Sequence, residues 1–169
     1  TITSCFDISS NKISQGIISS IAELGRKGKF EDFEVIVEGE RIKCHSFLLA
    51  SCSEFFRNLL DSNMKEKQDM KVNLPNVTSK TFKLILNSLY TGELLLTNDN
   101  VLDVWAAVHQ LQIDFLVQHC EDFIVVNVTT ETFQAYEKQA DVLQCQSFTE
   151  RVFPFLYQNF MTLRKSLTF

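Results

Sequence analysis

The residue types best suited to nucleophilic catalysis or metal binding stand next to each other at two places, Cys44-His45 and His119-Cys120. Either chemistry requires several such side chains to converge on one point. Adjacent side chains on a strand point to opposite faces, and neither spacing matches a zinc-binding pattern. We therefore expect His45 to be a hydrogen-bonded structural residue. The sequence also lacks a glycine-rich phosphate-binding motif, so we expect a non-catalytic chain that needs no metal, nucleotide or other cofactor to fold.

Composition and charge argue against several classes of function. The net charge is −5 and no long basic run occurs, which argues against nucleic-acid binding. No apolar stretch approaches the ~18 residues of a membrane-spanning helix, and the first residues, TITSCFDISS, do not resemble a signal peptide. The five cysteines are odd in number and include no CxxC pair, as is usual in a reducing compartment. We expect a protein of the cytoplasm, the nucleus or both.

The spacing of apolar residues predicts the elements that position these side chains. Phe33, Val35 and Val37 alternate with Glu34, Ile36 and Glu38, which is close to the period of a strand with one buried face. Glu38-Gly39-Glu40 then predicts a tight turn into a second strand. An apolar run at 47–49 and a Ser51-x-x-Glu54 capping box predict two short helices directly after this hairpin.

The rest of the chain has mainly helical periodicity, which favours an α+β fold. A stripe of Ile13, Ile17, Ile21 and Leu24 predicts a helix from about Asn11 to Lys27, ended by two glycines, Gly25 and Gly28. The further predicted elements are a strand at 70–74, a helix capped by Ser79, a strand from Leu94 to Leu96, helices at 101–111 and 115–126, and two helices that begin at Thr129 and Ser147.

Several short stretches closely resemble the BTB (POZ) domain, a protein-interaction module. They are Asp32 at the first core strand, His45 with the FLLAS run, Ser53 with Phe55-Phe56-Arg57, and YTGEL at 90–94. The resemblance implies a BTB/POZ fold over residues 1–127, with a small, mostly three-stranded sheet flanked by α-helices. The antiparallel helix pair predicted over 128–169 is similar to the 3-box that begins the BACK domain of BTB–BACK–kelch proteins.

The resemblance implies a homodimer. In BTB domains the first helix packs across a two-fold axis, so residues 1–28 would supply the dimerising strand and helix. An N-terminal strand would pair with the partner's sheet edge. The implied dimer interface consists of Phe6, Ile8, Ile13, Ile17, Ile21, Leu24, Leu94 and Leu96.

The resemblance also implies a substrate adaptor of a Cullin-3 ubiquitin ligase. BTB proteins that recruit Cullin-3 have a hydrophobic residue, any residue and then Glu on the loop after the FFRNLL helix, and this chain has Met64-Lys65-Glu66 there. The family's other cullin contacts lie near His109 and Gln110, where many adaptors have Tyr or Leu close to the place of Gln110. Substrates would be recognised by a domain that these 169 residues do not contain.

Two other classes of BTB domain are alternatives. The BTB module of a zinc-finger transcriptional repressor would dimerise or scaffold, but such domains often have a basic residue directly after the histidine, where this chain has Ser46. A tetrameric channel-assembly domain should lack both the first helix and the 3-box. The helix pair after residue 128 favours the adaptor.

Overall fold

The structure is a computed structural model, and it describes residues 10–61, 69–129, 131–145, 148–152 and 154. The chain divides into two compact units, Thr1–Leu95 and Leu96–Phe169. The sheet belongs to the first unit, and the regular elements described in the second unit are all helices. Among the residues that the structure describes, no helix has the length and apolar composition that a bilayer crossing requires.

The sheet has three strands in the order β2-β1-β3, which agrees with the small, mostly three-stranded sheet that the resemblance implies. Strands β1 (Phe33–Val37) and β2 (Glu40–Cys44) are antiparallel, and Val37 pairs with Glu40 across a two-residue turn. Glu38 and Gly39 both have positive φ, 51° and 80°, which is the type I′ geometry that matches the twist of a hairpin. Strand β3 (Lys71–Asn73) is parallel to β1, with Val35 opposite Val72.

One face of the sheet is buried, in agreement with the alternation in the sequence. Phe33, Val35 and Val37 of β1 are buried, while the residues between them are half-buried. The ring of Phe33 meets Phe56 edge-to-face, with centroids 6.2 Å apart. Burying large apolar side chains is the main favourable term in folding, so this face anchors the first unit.

Four helices are described in residues 10–61 and 69–95 of the first unit. They are α1 (Ser10–Lys27), α2 (Ser46–Cys52), α3 (Glu54–Asp61) and α4 (Ser79–Thr91). Helix α2 packs against α3, and α1 packs against α4. The left-handed residue Gly92, with φ of 76°, ends α4.

The structure moves two predicted helix caps by one or two residues. Ser53 Oγ, and not Ser51, accepts from the N–H of Phe56 at the start of α3, because Ser51 still lies within α2 and donates to the carbonyl of Leu48. Thr78, and not Ser79, accepts from the N–H of Thr81, because Ser79 is already the first helical residue of α4.

Two further expectations for the first unit are wrong. Gly25 does not end α1, which continues to Lys27, and Gly28 takes the left-handed conformation with φ of 56°. Residues 94–96 form no strand, since none of the three strands that the structure describes pairs with them. A strand requires a hydrogen-bonded neighbour, and no described strand pairs with this segment of three consecutive leucines.

The second unit contains helices α5 (Val101–Gln110), α6 (Asp114–Asn127) and α7 (Phe133–Leu143), followed by helical residues at 148–152. Helix α5 packs against both α6 and α7. Trp105 is fully buried, and its ring lies 4.7 Å from that of Phe148. Thr129 Oγ accepts from the N–H of Thr132, so the chain turns there and α7 starts later than predicted. The predicted cap Ser147 lies outside the described residues.

Candidate functional site

A hydrogen-bonded cluster around His45 fixes the junction between α1, the hairpin and α4. His45 Nε2 lies 2.6 Å from the carbonyl oxygen of Lys29, and Nδ1 lies 2.6 Å from the hydroxyl of Tyr90. Because a carbonyl only accepts, Nε2 carries the proton, and in the neutral ring Nδ1 accepts from Tyr90. Both ring nitrogens are therefore engaged in structural bonds, and the prediction of a structural histidine is confirmed.

The neighbouring thiol and phenol stay protonated at neutral pH. Burial raises the pKa of Cys44 to about 12, and the nearby carboxylates of Asp32 and Glu31 add to the effect. Burial also raises the pKa of Tyr90 to about 12. A nucleophilic cysteine needs a lowered pKa, so the environment of Cys44 is opposite to that of a catalytic thiol.

Asp32 holds the start of α2. Its Oδ1 accepts from the N–H of Ser46 at 2.7 Å, and its Oδ2 accepts from Ser46 Oγ at 2.6 Å. Burial raises the pKa of Asp32, but the bonds from Ser46 outweigh this and leave the pKa below its usual value. Ser46, which stands where repressor-type domains often have a basic residue, therefore pairs with Asp32 through two hydrogen bonds.

The predicted dimer residues on α1 lie on one side of an exposed helix. Ile13, Ile17 and Leu24 are 54%, 55% and 39% exposed, and Ile21 is half-buried. The adjacent Ile18 is 44% exposed and lies close to Gly92 at the end of α4. Isolated apolar side chains are common on protein surfaces, but a contiguous row on one helix indicates an interaction surface.

The other predicted dimer residues lie outside α1. Leu94 is half-buried and Leu96 is buried, with 8% of its surface exposed. Phe6 and Ile8 lie outside the described residues. The interface therefore stays a prediction: the described α1 members are accessible to a partner, whereas Leu96 is buried and residues 94–96 form no strand.

The predicted Cullin-3 contacts fall in two places. Met64, Lys65 and Glu66 lie outside the described residues. His109 and Gln110 are the last two residues of α5, and both are half-buried. The side chain of His109 is partly exposed, but it also contacts the protein interior, because its Nε2 lies 3.0 Å from Sγ of the buried Cys145.

The structure brings together three potential metal ligands that sequence analysis did not connect. One ligand atom from each of His109, Glu121 and Cys145 lies within 4.8 Å of the other two. They stand at the end of α5, in the middle of α6 and just after α7, so no short motif contains them. Helical periodicity predicts that the neighbours of Glu121 face inward. A carboxylate beside that apolar face was the sequence feature that could have indicated the cluster.

Burial perturbs the pKa of each member of this cluster. It raises the pKa of Cys145, with a further contribution from Glu121, and it lowers the pKa of His109. It also raises the pKa of Glu121, although Arg151, whose Nη1 lies 3.0 Å from Glu121 Oε2, acts in the opposite direction. A protonated thiol beside a neutral imidazole does not form the ion pair that cysteine nucleophiles use.

Comparison with known proteins identifies the family of the chain. The family model of the BTB/POZ domain matches residues 21–128. The chain is 33% identical over 155 residues to human Kelch repeat and BTB domain-containing protein 3, which covers 92% of this chain and 25% of that protein. It is 31% identical over 153 residues to Kelch-like protein 22 of Xenopus tropicalis, covering 90% of this chain and 24% of the relative. The chain thus spans about a quarter of the length of these curated relatives.

A solved structure supports the same fold. The BTB domain of zebrafish PATZ1 superposes with a TM-score of 0.61 over 71% of this chain and 98% of that domain, at 20% identity. At such identity the likeness concerns the fold alone. Both the expected α+β fold and the resemblance seen in the sequence are confirmed, and the chain belongs to the BTB/POZ domain family.

Proposed function

We infer that this chain is the BTB module of a homodimeric substrate adaptor for a Cullin-3 ubiquitin ligase. The observation that carries the proposal is the match to kelch-type BTB proteins over nine-tenths of the chain, which includes the helices after residue 128. The substrate would be recognised by a domain outside these 169 residues. The role is non-catalytic, and the chain would act by bringing two partners together.

Homodimerisation is supported by the exposed row on α1. Ile13 and Ile17 are each more than half exposed, and β-branched apolar side chains gain free energy when a partner covers them. A helix that meets its own copy across a two-fold axis forms an isologous interface. Phe6 and Ile8 would extend this interface by pairing with the segment Leu94–Leu96 of the partner.

Docking of Cullin-3 would centre on Met64. The polar sequence around Met64 predicts a loop, on which an apolar side chain would be available to fill a pocket on a partner, and Glu66 would hold that loop in shape through bonds to backbone N–H groups. His109 and Gln110 would contact the cullin at the end of α5. Together with Lys65, these residues form the proposed docking surface.

Calorimetry with an N-terminal fragment of Cullin-3 tests this surface. Truncation of an interface anchor typically costs ~2–4 kcal/mol, so Met64→Ala should weaken binding by roughly 30-fold or more. Met64→Glu should weaken it further because a carboxylate would lose its hydration in the pocket, and Glu66→Ala should have a smaller effect. Val126→Ala is the matched control, because Val126 is 77% exposed on α6 and lies outside the proposed surface.

The outcomes separate the alternatives. If the unmodified chain does not bind the fragment at tens of micromolar, the adaptor proposal fails and a dimeric scaffold, as in a transcriptional repressor, becomes the better explanation. If the chain binds but Met64→Glu binds equally well, Cullin-3 recognition stands and the choice of Met64 as anchor is wrong.

A further inference from the structure

We propose that His109, Glu121 and Cys145 form a binding site for one divalent transition-metal ion, with zinc as the ion that best fits the donors. This goes beyond the expectation that the chain needs no metal to fold, since the site would add an ion to a unit that already has an apolar core. The proposal does not depend on Cullin-3 binding, because the ion is held by the second unit alone.

The spacing of the ligand atoms is close to that of a tetrahedral site. The three atoms lie within 4.8 Å of one another, and the Nε2–Sγ distance is 3.0 Å. A zinc ion bonded at about 2.0 Å to nitrogen and about 2.3 Å to sulfur holds those atoms about 3.6 Å apart. The ligand atoms of His109 and Cys145 would therefore move apart by roughly half an ångström, and the carboxylate of Glu121 would move toward them. Rotation of the three side chains can produce these movements.

The donor set and its charges suit a divalent ion in a buried place. Imidazole, thiolate and carboxylate are all common zinc ligands. With Cys145 ionised, one thiolate and one carboxylate balance the charge of the ion. Arg151 bonds Glu121 Oε2 at 3.0 Å and Asp122 Oδ1 at 2.6 Å, so its own charge is balanced by Asp122. A ligating carboxylate that also accepts from an arginine is a typical outer-shell arrangement.

Binding would exchange one proton for the ion. In the metal-free protein, a Cys145 thiol that donates to Nε2 of the neutral imidazole would account for the short His109–Cys145 contact. The ion takes the nitrogen lone pair and the sulfur, and the thiol proton leaves to water. No oxidation or reduction is involved. A groove lined by Ala140, Asp141, Gln144 and Thr149 opens beside Cys145 and offers a route for the ion and for a water molecule as fourth ligand.

The only tryptophan of the chain provides a reporter of binding. The ring centroid of Trp105 lies 5.9 Å from that of His109. The 169-residue chain, purified with a chelator, is titrated with Zn²⁺ and with Co²⁺ while tryptophan emission and the visible absorption of cobalt are recorded. We expect one ion per chain, a saturable change in emission, and a sulfur-to-cobalt charge-transfer band.

Variants distinguish this site from binding elsewhere. Cys145→Ser and His109→Gln should weaken zinc binding by at least tenfold and remove the charge-transfer band or shift it. Cys52→Ser and His119→Gln change the same residue types outside the cluster and should bind like the unmodified chain. If Cys145→Ser does not fold, the cobalt spectrum of the unmodified chain and the His109→Gln titration show whether the ion binds at the proposed site. Absence of the sulfur band, or equal affinity in all variants, would overturn the proposal and leave a thiol–imidazole hydrogen bond.

Discussion

At Asp32 a single carboxylate joins the start of the sheet to the first turn of α2. Both of its oxygens accept from Ser46, one from the backbone N–H and one from the hydroxyl. A negative charge at a helix N-terminus is stabilised by the helix dipole as well as by these bonds. The sequence pointed to Asp32 and His45 through the family resemblance, but their partners Ser46, Tyr90 and Lys29 come from separate segments and follow only from the fold.

Replacement of Asp32 should show a defined pH dependence. The pKa of Asp32 is lowered in the folded chain, so its contribution to stability is present above the unfolded pKa and is lost as the pH falls through the folded value. Because Asp32 is exposed and solvent screens its charge, Asp32→Asn should lower the free energy of unfolding by only about 0.5–1 kcal/mol at pH 7. The difference should shrink below about pH 4, the usual pKa of an aspartate.

Urea denaturation at several pH values measures this difference. Asp99→Asn makes the same change at an exposed turn and should leave the unfolding free energy nearly unchanged at each pH. A constant deficit for Asp32→Asn down to acidic pH would mean that the charge of Asp32 contributes nothing and only its shape matters.

Among the elements, α1 depends on a close approach to α4 that sequence periodicity did not indicate. An ideal Cβ placed on Gly25 would lie 2.5 Å from Cδ1 of Tyr90, so only glycine allows this contact. Glycine near the end of an apolar stripe predicts the end of a helix, so the sequence predicts an end at Gly25. In the structure, the close contact with Tyr90 is the reason that position 25 requires glycine. The hairpin and the approximate helix positions were predictable because their signals are local, whereas the parallel pairing of β1 with β3 joins segments that are distant in sequence.

Two glycine variants of α1 should change stability in opposite directions. Gly25→Ala should lower the free energy of unfolding by about 1–3 kcal/mol, because the Tyr90 ring must shift and its bond to His45 is disturbed. Gly16→Ala should raise it by about 0.5–1 kcal/mol, since a Cβ there meets nothing within 4 Å and alanine favours the helix. Thermal or urea denaturation of both variants measures the effect, and a Gly25→Ala protein as stable as Gly16→Ala would contradict the packing argument.

For the molecule as a whole, the row on α1 is a group of apolar side chains that the described residues leave exposed, and Phe47 and Val126 are exposed on other helices. The sequence predicts the row because its apolar residues recur at helical spacing, and the family resemblance implies that the row is part of a dimer interface. The His109–Glu121–Cys145 cluster could not be predicted in the same way, because its members are distant in sequence and only the packing of α5, α6 and the residues after α7 joins them.

A charge placed within this row should separate the proposed dimer. Ile17→Glu would bury a carboxylate on each side of the two-fold axis, so sedimentation should give a monomer at concentrations where the unmodified chain is dimeric. Ser19→Glu adds the same charge to an exposed position on the opposite side of α1 and should remain dimeric. Equal behaviour of the two variants would place the dimer interface elsewhere.

Light scattering of the unmodified chain mixed with an N-terminal fragment of Cullin-3 tests the adaptor proposal most directly, because it reports dimerisation and docking together. We predict one complex that contains two copies of each protein, and a mass of twice 19.4 kDa for the chain alone. A chain that scatters as a single 19.4 kDa species and elutes separately from the cullin fragment would contradict the proposal.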